Sequence, residues 1–138
     1  MLEIRTDRLP VDTFLALYTS LGWDPPREAQ VHAALQNSLA TFAAYEDGIP
    51  VGMARLIGDG GMSFYIKDFA ILPSHQGKGI GTELICAMER YIRDTVDPGW
   101  AVSLELISTK EAVPFYKRMG FEERPCEWDG PGRMKMLR

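Results

Sequence analysis

The chain reads as one α/β domain of the α+β type, a mixed and mostly antiparallel sheet of about seven strands with four helices, ordered β-α-α-β-β-β-α-β-α-β-β. Three observations predict this class. A first strand pattern is followed by two stretches whose apolar residues recur at helical spacing. Two turns, Asp47-Gly48 and Gly58-Asp59-Gly60-Gly61, then separate three alternating segments, the mark of a hairpin meander. Finally, a long helical pattern opens directly on the run Gln76-Gly77-Lys78-Gly79-Ile80-Gly81.

The elements follow in order. Residues 3–6 form the first strand. In residues 11–21, Phe14, Leu15, Leu17, Tyr18 and Leu21 fall on one helical face. Pro25-Pro26 ends that pattern and suits the first turn of the next helix, where residues 27–39 carry Val31, Ala34, Leu35 and Leu39 as one stripe. Residues 41–46, 51–57 and 62–72 are the meander strands, and Pro73 closes the third. Ile80, Leu84, Met88, Tyr91 and Ile92 define a helix over residues 79–95, which Asp97-Pro98-Gly99 breaks. Residues 101–107 are strand-like and, reached by a crossover helix, should run parallel to strand 62–72. A shorter helix over residues 110–119 ends at Gly120, the residue type favoured after a helix. Phe121 onward and residues 134–137 supply closing strands around the Gly- and Pro-rich segment 129–132.

Composition narrows the function. With 46% hydrophobic and 25% charged residues in 138, a core can form without disulfides or metal. The net charge of −4 disfavours nucleic acid, whose binders cluster cations. No apolar run approaches a membrane span, and the N-terminus lacks a signal-peptide pattern, so no membrane partner is expected and the cytoplasm is the expected location. Cys86 and Cys126 form no CxxC pair, and His32 and His75 have no metal-ligand spacing, so no metal is expected.

The glycine turn carries the chemistry. Glycines let the backbone curl and approach a ligand. The first helical turn leaves N–H groups unpaired and adds partial positive charge, which together suit a phosphate or diphosphate. Lys78 adds a full charge at the rim. A Walker loop is absent, and a dinucleotide fingerprint would need GxGxxG in the first βαβ unit, whereas this run reads GxGxG after three meander strands. A nucleotide site, or a loop that only packs the helix onto the sheet, stays open at this level.

Gln76-x-x-Gly79-x-Gly81, behind a strand ending at Pro73, resembles the cofactor motif of the GNAT N-acetyltransferases, which use acyl-CoA. Ala112-Val-Pro-Phe115-Tyr116-Lys-Arg-Met-Gly120-Phe121 resembles the family's second signature, A-x-x-F-Y-x-x-x-G-F. The motifs cover residues 69–121, and the element order extends the likeness over most of the chain. The resemblance implies one acetyltransferase domain over residues 1–138, with acetyl-CoA as cosubstrate. It places the diphosphate on the amides of Gln76, Gly77, Lys78, Gly79, Ile80 and Gly81, with Thr82. It places the pantetheine arm along Phe69, Ala70 and Ile71, a form of strand addition, where the strand splays from its parallel neighbour. Thr109 stands where many relatives carry Asn against the cofactor arm; alternatively, Ser108 or Thr109 caps the following helix.

Tyr116 matches the family's general acid. Amine attack on a thioester expels a thiolate, and a phenol within hydrogen-bond reach can protonate it. Strict alternation puts Tyr65, Lys67, Phe69 and Ile71 on one strand face and Asp68 on the other. Family bases often match Tyr65 or Lys67, and neither is a carboxylate, which leaves Asp68 and Glu105 as the nearby acids. Asp68 is the candidate, with a water-mediated route open beside it. Tyr18, Trp23, Tyr65 and Trp128 are candidate walls of the acceptor pocket, and an acidic chain with such aromatics suits a small cationic amine. A peptide N-terminus or lysine also fits. Cys86, inside a helix, argues against an acyl-enzyme. A homodimer is a further expectation, since late strands in this family often pair across subunits. The competing reading is a CoA-sensing module without turnover.

Overall fold

The computed structural model describes residues 1–138, which divide into two compact units, Met1–Leu106 and Ile107–Arg138. The first holds β1 (Leu2–Thr6), α1 (Val11–Ser20), α2 (Glu28–Gln36), β2 (Ala40–Glu46), β3 (Ile49–Gly58), β4 (Ser63–Ile71), α3 (Ile80–Thr95) and β5 (Ser103–Glu105). These five strands make one sheet in the order β1-β2-β3-β4-β5. The first four pair antiparallel, and β5 pairs parallel with β4 as the crossover helix requires. The second unit contains a 3-10 turn at Lys110–Ala112 and α4 (Val113–Arg118).

Both sheet faces are covered, which explains why β2 is buried along nearly its whole length and does not alternate. On one face, Phe14, Leu17 and Val31 of α1 and α2 pack against Ala43, Tyr45, Met53 and Ala70. On the other lies the apolar stripe of α3. Its Ile80, Leu84, Ile85, Met88 and Ile92 are all buried, and Tyr91 stacks edge-on against Phe42 at 5.9 Å. Each such side chain contributes about 1.5–3 kcal/mol of burial.

The four helices and the mixed sheet agree with the sequence reading; the strand count does not. There are five strands, not about seven, because neither Phe121 onward nor residues 134–137 form a ladder. Met134, Met136 and Leu137 are exposed. The strand expected over residues 101–107 is only Ser103–Glu105, and the helix expected over residues 110–119 is a 3-10 turn followed by six residues of α-helix.

Candidate active site

The turn before α3 has the backbone that a main-chain anion cradle needs. Gly77 and Gly79 both lie in the left-handed region, at φ +77° and +83°, and Gly79 is the N-cap of α3 with no side chain capping it. A Cβ at either glycine would point into open space. The Gly79 carbonyl accepts from the Glu83 amide at 3.1 Å, so the helical ladder starts there and the amides before Glu83 have no carbonyl a turn back within the helix. The side chain of Gln76 is exposed, and its Nε2 donates to the Ile71 carbonyl at 3.2 Å, which ties the turn to the end of β4. Lys78 and Thr82 are exposed and Ile80 is buried. Glu83 in the first turn offsets part of the positive field that Lys78 and the helix end create.

β4 itself departs from strict alternation. Its register against β3 shifts between Met53/Ala70 and Arg55/Lys67, so Asp68 and Phe69 together face the single residue Ala54. Asp68 is the bulge residue, with φ +52°. One extra residue reverses which face each later side chain meets. Ala70 therefore packs with α1 and α2, while Ile71 reaches over Gly52 toward Ile80 of α3. This corrects the alternation expected from the sequence: Tyr65 and Lys67 do not share a face with Phe69 and Ile71. Asp68 joins the α1–α2 side, where its Oδ2 accepts from Arg55 Nε at 2.6 Å.

The close pairing of β4 with β5 ends before that bulge. Ser63, Phe64 and Tyr65 lie opposite Ser103, Leu104 and Glu105, and β5 accompanies β4 no further. Phe69, Ala70 and Ile71, the positions implied for the pantetheine arm, lie past that parting.

Among the expected acceptor walls, Tyr18 and Trp23 meet edge to face at 5.1 Å. Burial pushes the Tyr18 phenol up from the usual tyrosine range, with the Asp68 charge adding to the effect and Arg55 opposing it, so Tyr18 stands within the field of both. Tyr65 is half-buried and also raised, by burial first and then by Glu105. Trp128, Thr109 and Tyr116 belong to the second unit. Trp128 is 68% exposed. Thr109 precedes the 3-10 turn without a side-chain capping bond, and Ala112 rather than Ser108 or Thr109 is the N-cap of α4. Tyr116 is buried between the rings of Phe115 and Phe121, at 5.1 and 5.7 Å, and desolvation pushes its phenol up to about 12.

Sequence reasoning does not bring out Arg55. Its signal was a lone charge in an otherwise apolar strand, on the inward side. A cavity of about 570 Å³ beside α2, walled in part by Asp7, His32, Gln36 and Ser38, does not include the glycine turn. A cradle that holds an extended ligand by main-chain amides is a surface feature, so the two need not coincide.

A left-handed glycine turn thus opens the crossover helix beside a bulged strand that parts from its parallel neighbour. Residues 17–130 match the family model described as an acetyltransferase (GNAT) domain, and the chain belongs to that family of acyl-CoA-dependent N-acetyltransferases. The GCN5-related N-acetyltransferase 1, chloroplastic, of Arabidopsis thaliana is 31% identical over all of this chain and 68% of its own length. Across three curated relatives the chain spans between 51% and 68% of their length. A probable acetyltransferase of unknown function from meticillin-resistant Staphylococcus aureus superposes with a TM-score of 0.83 at 28% identity, over 99% of this chain and 100% of its own. An aminoglycoside N-acetyltransferase in complex with CoA shares the fold, with a TM-score of 0.71 at 20% identity over 100% of this chain and 94% of its own.

Proposed function

We propose that this chain moves an acetyl group from acetyl-CoA to the primary amine of a small cationic molecule, by direct attack. The observation that carries the reading is the turn at Gly77 and Gly79, whose backbone offers amides and whose missing Cβ atoms leave open space where a diphosphate would lie. The amine nitrogen attacks the thioester carbonyl carbon, a C–N bond forms, and the C–S bond breaks. The ammonium releases one proton to water before it can attack. Once the C–S bond breaks, the departing thiolate takes the phenolic proton of Tyr116, and the second proton lost by the nitrogen passes through water to restore the phenol. Desolvation that raises the phenol also raises a thiol in the same surroundings, which keeps the transfer closer to even than the figure for Tyr116 alone implies. Asp68, held by Arg55 through Oδ2, uses its other oxygen to draw in the ammonium group. Tyr18, Trp23 and Tyr65 wall the acceptor on the same side of the sheet, and an aminoglycoside, the substrate class named for the CoA-bound relative, is one polycationic candidate.

The test is a thiol-release screen with acetyl-CoA against polyamines, aminoglycosides, arylalkylamines, amino sugars and peptides, with calorimetry of acetyl-CoA, ATP and NAD alongside. Release with a small amine supports the reading, and release with peptides alone makes the chain a protein acetyltransferase. Acetyl-CoA binding without release for any amine would make it a sensory module, and tight binding of ATP or NAD in its place removes the CoA assignment.

A further inference from the structure

Arg55 occupies an unusual place: a guanidinium in the middle of β3, on the face that α1 and α2 cover. Its side chain is 13% exposed and that of its partner Asp68 is 15% exposed. Nε donates to Asp68 Oδ2 at 2.6 Å, while Nη1 donates to Ser38 Oγ at 3.2 Å. Ser38 in turn donates to the Ala34 carbonyl at 2.7 Å, in the last turn of α2. One planar side chain thus joins three elements: the β4 bulge, the centre of β3 and the end of α2. Asp68 Oδ1 takes no hydrogen bond within the protein.

A left-handed Asp at a bulge is tolerated, but it has several ways to aim its carboxylate. Arg55 removes that freedom by engaging one oxygen in a charge-assisted bond. Lysine could not reproduce this, because a single ammonium lacks the fixed fork that reaches Asp68 and Ser38 together.

We propose that Arg55 is a positioning residue for the acceptor amine: it fixes Asp68 at the bulge and ties that carboxylate to the end of α2, leaving Oδ1 to meet the incoming ammonium. The inference rests on the acetyl-transfer reading above and deepens it, since the amine it selects must be protonated on arrival.

The test uses the full chain with the best amine from the screen, comparing wild type with Arg55→Met, Arg55→Lys, Asp68→Asn and the two double variants. Asp68→Asn should raise the KM for the amine about tenfold and leave the KM for acetyl-CoA within about twofold. Arg55→Met should do the same, and it should add less than twofold once Asp68 is already Asn. Arg55→Lys should fall between wild type and Arg55→Met. Where Arg55→Met leaves a buried carboxylate unpartnered and does not fold, Arg55→Met with Asp68→Asn removes both charges, and Arg55→Lys alone and with Asp68→Asn carries the same comparison. Effects that multiply in the double variants, or that fall equally on both substrates, overturn the inference while leaving acetyl transfer standing. A wild-type chain that releases no thiol with any amine removes the acetyl-transfer reading and this inference with it.

Discussion

Cδ1 of Ile71 occupies the space above Gly52, 2.8 Å from where a Cβ on that glycine would stand. Cγ2 of Ile80 lies 3.3 Å from the same point, as does the Ala70 carbonyl oxygen. β3, the end of β4 and the first residue of α3 therefore close over a position where a Cβ would have to push the end of Ile71 aside. This contact sets the base of the glycine turn.

Gly52→Ala is accordingly expected to destabilise the chain by about 1–2 kcal/mol, the usual range for overpacking when the crowded atom can move aside. The displaced Ile71 shifts the turn, so acetyl-CoA affinity falls as well. Ile71→Val deletes the clashing methyl, and the double variant should recover more than half of the affinity lost. Denaturant unfolding and calorimetry read the two effects; no recovery in the double variant would show that Ile71 is not the atom in the way.

At Gly77 and Gly79 the constraint is different. There is room for a Cβ at both, so alanine meets no neighbour. Its cost is the left-handed backbone, about 1–2 kcal/mol for each residue. The methyl would also stand in the open space assigned to the diphosphate. Each alanine variant should weaken acetyl-CoA binding tenfold or more, beyond anything its stability loss explains. Asn, which tolerates this conformation, should recover stability without recovering affinity. Recovery of both together would mean the turn shapes the helix and not a ligand.

The sequence made the meander, the crossover helix and the glycine turn legible because each rests on a local rule: Asp-Gly hairpins, helical periodicity, and glycine at a helix start. The bulge at Asp68 escaped it. An αL aspartate inside an alternating run is invisible to a period-two argument, and one extra residue moved Phe69 and Ile71 to the opposite face from Tyr65. Arg55 is hidden for the same reason, since strict alternation puts Asp68 on the opposite face from Lys67, the residue paired with Arg55. The two closing strands failed for another reason. Alternation over residues 134–137 reports that a segment could pair, but a strand exists only where a second backbone completes the ladder. Within the candidate site, the cofactor side was readable from motifs and the acceptor side was not, because long-range register decides it.

The β3–β4 turn gives an acid-sensitive prediction. Asp59 Oδ1 accepts from the amides of Gly61, Met62 and Ser63 at 2.9, 2.8 and 3.1 Å, and these backbone bonds hold its carboxyl down at about 2. A lowered folded value means that its stabilising effect is complete above the unfolded carboxylate range and is lost as pH falls toward 2. Asp59→Ala should lower Tm at pH 7, and the difference from wild type should shrink steadily between pH 4 and pH 2. A gap that stays constant over that range would separate the turn's stability from the charge of Asp59.

Tyr116 has two pH-dependent roles that one variant separates. Because desolvation raises its phenol to about 12, it holds its proton across the working range, and any alkaline limb of activity below about pH 10 must come from another group. The unfolded phenol ionises near 10, so the folded form's hold on the proton costs nothing below that pH. Between pH 10 and 12 the unfolded state loses its proton first, and stability falls by at most about 3 kcal/mol. Tyr116→Phe should abolish that part of the decline while keeping the ring contacts with Phe115 and Phe121. In the same variant kcat should drop about 100-fold or more, with the calorimetric Kd for acetyl-CoA within about twofold of wild type. Retained turnover together with a flattened alkaline unfolding curve would make Tyr116 a buried core phenol and send the search for the proton donor elsewhere.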